Sequence, residues 1–147
     1  MFSKYQLLEI IEKCAKETAL AIGPYHDERA NETVLCDKLE KAGIKIERQR
    51  TIDRYLGELK FTSVKMDIWL PDYKVILELK ALVGDITVNI KNQVLHYLGV
   101  DSTAEYGIVV IFHRKTGEYE PVVNGVSQLK KEHCVAPKFH TITRPLS

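Results

Sequence analysis

Val64-Lys65-Met66-Asp67-Ile68-Trp69-Leu70, then Pro71-Asp72-Tyr73, then Lys74-Val75-Ile76-Leu77-Glu78-Leu79-Lys80, decides how this chain folds. In the first segment Val64, Met66, Ile68 and Leu70 project to one side, and Ser63, Lys65, Asp67 and Trp69 to the other. That period of two belongs to a strand with one covered face. Pro-Asp-Tyr is a turn signal. The last segment is a nearly continuous apolar run, as in a strand covered on both faces. So short a turn makes the two strands antiparallel neighbours.

Only Glu78 and Lys80 break the apolar character of that second strand. Being two apart, they leave it on the same face. Asp67, on the neighbouring strand, is placed to approach Glu78. Charges on a central strand are costly without partners. A buried salt bridge, Asp67–Lys80 or Glu78–Lys80, is one solution. The other is a site: two carboxylates repel at close range, and a hard divalent cation relieves the repulsion. The apolar strand, the flanking Asp67 and the helix that follows weigh toward the site. A cation there acidifies a bound water and stabilises charge at phosphorus, and Lys80 orients the water or offsets developing charge. The Leu79 backbone carbonyl is a further candidate ligand. Asp72 also lies close before Glu78, but it occupies the turn, where Pro-Asp is expected anyway, so Asp67 on the strand is the site acid.

Working outward, Leu56-Gly57-Glu58 is the turn of a hairpin whose outgoing strand spans 44–52 and whose return strand spans 59–70. Upstream, apolar residues at helical spacing predict a helix over 4–21, stopped by Gly23-Pro24. A second is predicted over about 27–42 with Val34, Leu35 and Leu39 inward and Gly43 as its stop. Downstream, 85–99 reads as a third helix with Val88, Val94, Leu95 and Leu98 as its core face. Asn89, Gln93 and Tyr97 share another face. Residues 106–112 form a buried strand, 119–123 an edge strand, and Thr141 starts a last extended piece. This order predicts an α/β fold with a mixed sheet. Glu28 and Glu32, one turn apart, are capping or solvated acids, or a third carboxylate at the metal.

The bulk numbers set bounds. A chain of 147 residues, 45% hydrophobic and 28% charged, fits one domain with a real core. We expect a single domain over 1–147: the helix at 4–21, a core at 27–113 and an extension at 114–147. No apolar run approaches the roughly 20 residues needed to span a bilayer, and the first residues lack a signal-peptide layout. Cys14, Cys36 and Cys134 are scattered and odd in number, which argues against a disulfide framework or a zinc knuckle and for reduced thiols inside the cell. Net charge is +1, but Lys45, Arg48, Arg50, Arg54 and Lys60 crowd the hairpin, and Lys130, Lys131, Lys138 and Arg144 the tail. Each cluster is a phosphate-contacting candidate or a solvated surface.

The pattern resembles the PD-(D/E)XK nuclease superfamily, which places an acid on an early helix, an Asp on one strand, (D/E)xK on the next and often a Gln on the following helix. It is most similar to the small GxxExxY branch: Gly23-Pro24, Glu28, Lys41-Ala42-Gly43-Ile44 and Glu47-Arg48-Gln49 follow its spacing. Asp67-Ile68-Trp69-Leu70, Val75 to Ala81 and Gln93-Val94-Leu95-His96-Tyr97-Leu98 continue it, and the likeness covers about residues 5–113. The name-giving Gly and Tyr are Tyr25 and Asn31 here. The resemblance implies a restriction-endonuclease-like core, a central mixed sheet of four to five strands flanked by helices, with an extra N-terminal helix. It implies Asp67, Glu78, Lys80, Glu28 and Gln93 as catalytic residues. Asp67, Glu78, Glu28 and the Leu79 carbonyl would hold Mg²⁺ or Mn²⁺, and Tyr97, Arg48 and Arg50 would contact substrate. It implies hydrolysis of DNA at an end, a single strand or a branch, as in the exonuclease modules of recombination helicases, with a second copy or a helicase-like protein as partner. The alternative is a catalytically weak binding module within a larger nuclease–helicase assembly.

Overall fold

The computed structural model describes residues 1–114, 122–123, 126–127 and 135–144. The elements are α1 (Lys4–Ile22), α2 (Glu28–Lys41), β1 (Glu47–Leu56), β2 (Leu59–Leu70), β3 (Val75–Leu82), α3 (Val88–Val100), β4 (Tyr106–His113), β5 (Val122–Val123), β6 (Val126–Ser127) and β7 (Lys138–Thr143). Five strands make one mixed sheet in the order β1-β2-β3-β4-β7, and β5 pairs with β6. The expected α/β sheet is therefore present, at five strands. The expected strand at 119–123 falls partly outside the described residues, as do Lys130, Lys131 and Cys134.

The chain packs as two compact units. The first comprises the described residues of Met1–Ile44, Leu79–Asp85 and Val110–Phe139. Its helix α1 opens on a capping box: Ser3 Oγ accepts from the Gln6 amide, and Gln6 Oε1 accepts from the Ser3 amide. Leu7, Ile11, Cys14 and Ala15 of α1 and Leu35, Cys36 and Leu39 of α2 are buried. Cys14 and Cys36 are free thiols, and burial pushes the Cys14 thiol up. Asp27 caps α2, accepting from the Ala30 amide. At the other end Gly43, at φ 87°, donates to the Glu40 carbonyl while Ile44 donates to Leu39. This Schellman closure uses up Ile44, which is buried. It explains why β1 starts at Glu47 and not at 44 as its alternation predicts. Among the described residues no helix is long and apolar enough to cross a membrane.

The second unit comprises Lys45–Glu78, Ile86–Val109 and the described residues of His140–Ser147. The β1–β2 hairpin turns at Gly57, φ 63°, and its register runs from Leu56↔Leu59 to Glu47↔Trp69 with a bulge between Arg54 and Tyr55. Val64, Met66, Ile68 and Leu70 are buried, as their alternation predicts. Helix α3 starts later than expected, because Thr87 caps it by accepting from the Ile90 amide at 3.3 Å. Ile90 therefore faces the core and Val88 is exposed, reversing the expected role of Val88. Gly107 on β4 lets α3 come close: a Cβ there would lie 2.5 Å from Val94 Cγ1. β3 continues to Leu82, two residues past the expected end, and Lys74, at φ 56°, belongs to the turn before it.

Candidate active site

In the second unit β2 and β3 run antiparallel with Ile68↔Leu77, Trp69↔Ile76 and Leu70↔Val75. Continued by one residue, that register sets Asp67 opposite Glu78. Asp67 is half-buried and Glu78 is 2% exposed. Glu78 Oε1 accepts from Gln93 Nε2 at 3.4 Å. The same nitrogen donates to the Tyr97 hydroxyl at 2.5 Å. Glu78 Oε2 is buried and takes no hydrogen bond from the described residues. Gln93 and Tyr97 are one turn apart on α3, so its polar stripe reaches the carboxylate through two successive turns. Asn89, the third member of that expected face, is exposed.

The electrostatics give the same grouping. Tyr97 is pushed up to about 12, first by burial, then by the negative charge of Glu78, with Asp67 adding to it; the Gln93 hydrogen bond acts the other way. A phenol that senses both acids has both nearby. It stays a neutral hydroxyl at neutral pH, where it can accept from Gln93.

Four of the expected site residues, Asp67, Glu78, Gln93 and Tyr97, are thus brought together in one unit. Of the others, Glu28, Leu79 and Lys80 lie in the first unit and are described there, and Arg48 and Arg50 lie in the second. Lys80 is half-buried, two residues beyond Glu78 on β3, with Leu79 buried between them. Glu28 is the first residue of α2 and half-buried, where an acid suits the helix N-terminus. Glu32, one turn on, is 5% exposed. Of the expected substrate contacts, Arg48 is exposed on β1. Arg50 is engaged inside the protein: Nη1 donates to Asp101 Oδ2 at 2.8 Å, and its guanidinium lies 4.5 Å from the centre of the Trp69 ring. Arg144 likewise donates to the carbonyls of Leu98, Asp101 and Ala104, closing the C-terminal end of α3. Neither role is visible in the sequence, where Asp101 carries no pattern that marks it as buried.

Among the described residues no cluster of three or more His, Cys, Asp or Glu side chains is placed to hold a metal. The donor chemistry of the Asp67–Glu78 pair nonetheless fits a hard divalent cation, which takes one or two carboxylates and completes its shell with water and substrate oxygens. A soft or imidazole-seeking metal does not fit, because the pair offers oxygen only.

A model of the PD-(D/E)XK nuclease superfamily matches residues 5–121. No curated protein matches. Among solved structures the chain is similar to SSO0001, with TM-score 0.50 and 14% identity over 96% of this chain and 79% of that one. It is also similar to a phage-related exonuclease from Haemophilus somnus 129PT, with TM-score 0.42 and 12% identity over 99% of this chain and 79% of that one. The chain belongs to the PD-(D/E)XK nuclease superfamily.

Proposed function

Starting from that membership, we propose that the protein is a nuclease dependent on Mg²⁺ or Mn²⁺ that hydrolyses phosphodiester bonds of DNA, directed by an end or a branch and not by base sequence. The observation that carries this is the carboxylate pair: Asp67 set opposite Glu78, with Glu78 held by Gln93. In a buried setting two such acids have a use when a cation joins them.

Asp67 and Glu78 hold the cation, with the Leu79 carbonyl as a further ligand. When bound, it supplies a Lewis acid for the phosphodiester and acidifies the attacking water. Gln93 and Tyr97 fix the Glu78 carboxylate, so that one oxygen is committed to the protein while its orientation is kept. Lys80, in the position of the superfamily lysine, orients the nucleophile and offsets charge that grows on the phosphate oxygens. Glu28, in the position of the helix acid, assists as ligand or water-holder. Arg48 contacts the phosphate backbone. No separate reading head is evident among the described elements, which favours recognition of backbone and strand ends over base sequence.

The test is cleavage of end-labelled single-stranded, duplex and branched DNA with Mn²⁺, with Lys80→Ala in parallel. Metal-dependent cleavage that the variant lacks while remaining folded is expected. Equal activity of the variant would sink the catalytic assignment.

A further inference from the structure

Helix α3 ends without a cation of its own, since its last turn holds no basic residue. The last four carbonyls of a helix lack partners within it and favour a positive charge. The Asp101 amide donates to the Tyr97 carbonyl at 2.9 Å, and Asp101 ends the helix. Arg144, just past β7, brings the cation. Its Nη1 donates to the Leu98 carbonyl, and its Nη2 donates to the Ala104 carbonyl and, at 2.8 Å, to that of Asp101. One guanidinium thus joins the last turn of α3 to the loop after it, through charge-assisted bonds to three carbonyls.

The same loop is tied a second time, through the buried Asp101 carboxylate. Its Oδ1 accepts from the Thr103 amide at 2.9 Å and from the Thr103 hydroxyl at 2.6 Å. Its Oδ2 accepts from Arg50 Nη1 at 2.8 Å. Arg50 lies on β1, and its guanidinium also sits over the Trp69 ring, 4.5 Å from the centre. Trp69 is two residues from Asp67 on β2. Arg50 therefore links the strand that carries Asp67 to the end of the helix that carries Gln93 and Tyr97. All of these residues belong to the second unit.

From this geometry we infer that Arg144 and Arg50 are positioning residues for the carboxylate site: they fix the C-terminal end of α3 so that Gln93 and Tyr97 stay on Glu78. Leu98, whose carbonyl Arg144 holds, directly follows Tyr97, and Gln93 is one turn earlier. The Gln93–Glu78 bond, at 3.4 Å, is at the long end for an N–H···O bond. A small displacement of the helix is enough to break it. A positive charge at the helix end could come from lysine. Only the planar fork of arginine lets one side chain reach Leu98 with one nitrogen and Asp101 and Ala104 with the other. Likewise only a flat guanidinium covers the Trp69 ring while it bonds to Asp101. The assignment rests on the nuclease reading for its effect on cleavage, whereas the seating of Gln93 on Glu78 belongs to the fold.

The experiment compares Arg144→Ala, Arg144→Lys and Arg50→Lys with the wild type, first without metal or DNA. In proton–nitrogen correlation spectra the Gln93 side-chain amide pair is assigned as the pair that Gln93→Ala lacks. Each variant should shift that pair and speed its exchange with water, Arg144→Ala most, while the rest of the spectrum stays that of a folded protein. Cleavage of labelled single-stranded DNA at saturating Mn²⁺ should then show kcat lowered about tenfold with KM within about twofold. Arg144→Lys keeps the charge and loses the fork, so it carries the test if the alanine variant does not fold. A lower melting temperature with the Gln93 pair unmoved would overturn the assignment and leave the arginines a purely structural role. So would a displaced pair with wild-type kcat. Absent cleavage by every protein, wild type included, with the pair displaced in the variants keeps the positioning of Gln93 and removes the nuclease reading. Lys80-dependent cleavage with the pair unmoved keeps the nuclease and removes the positioning role.

Discussion

Gln93 Nε2 lies 3.4 Å from Glu78 Oε1, so a helix side chain fifteen residues downstream holds the most deeply buried carboxylate among the described residues. The same amide nitrogen reaches the Tyr97 hydroxyl. In the proposed site Glu78 is a metal ligand, and loss of a group that orients such a ligand costs roughly 10- to 100-fold in activity or metal affinity. Gln93→Ala should therefore lower kcat by about that factor while the protein stays folded. Full activity in the variant would show that the bond is incidental.

Metal addition should raise the melting temperature. A ligand at a hundred times its Kd adds about 2.7 kcal/mol, or roughly 5–10 °C in a domain of this size. Asp67→Asn keeps the shape and removes a charge, so it should lose most of the Mg²⁺ or Mn²⁺ shift in differential scanning calorimetry. An identical shift in both proteins would place the cation elsewhere.

Glu28 and Glu32 should separate by readout. Glu28, half-buried at the start of α2, is the assigned auxiliary acid, so Glu28→Gln should slow cleavage more than Glu32→Gln. Glu32 is 5% exposed, and changing its interactions should cost about 1–3 kcal/mol of stability in urea unfolding. The reverse ranking in activity would transfer the auxiliary role to Glu32.

Gly107→Ala tests the seating of α3. The added Cβ would meet Val94 Cγ1 at 2.5 Å, with the Ile76 carbonyl oxygen 3.6 Å away. Overpacking of this kind costs about 1–3 kcal/mol. Because Val94 adjoins Gln93 in sequence, cleavage should fall as well. An unchanged unfolding midpoint would mean the helix can shift without loss.

The sequence by itself determined the hairpin, the β2–β3 turn and the positions of Asp67, Glu78 and Lys80, because period, turn chemistry and short loops are local properties. It also carried the family pattern. Its errors fell where a distant or competing bond intervened: the cap by Thr87 that rotates Val88 outward, and the helix closure that takes Ile44 out of β1. Tertiary structure alone decided that Gln93 meets Glu78, that Arg50 is held by Asp101 and Trp69, and that Arg144 closes the end of α3. These partners are 15 to 51 residues apart for the three hydrogen bonds, beyond the reach of any periodicity. A charged side chain reads the same in a sequence whether it awaits a phosphate or already has a carboxylate. Only packing, which removes water and supplies the partner, distinguishes the two.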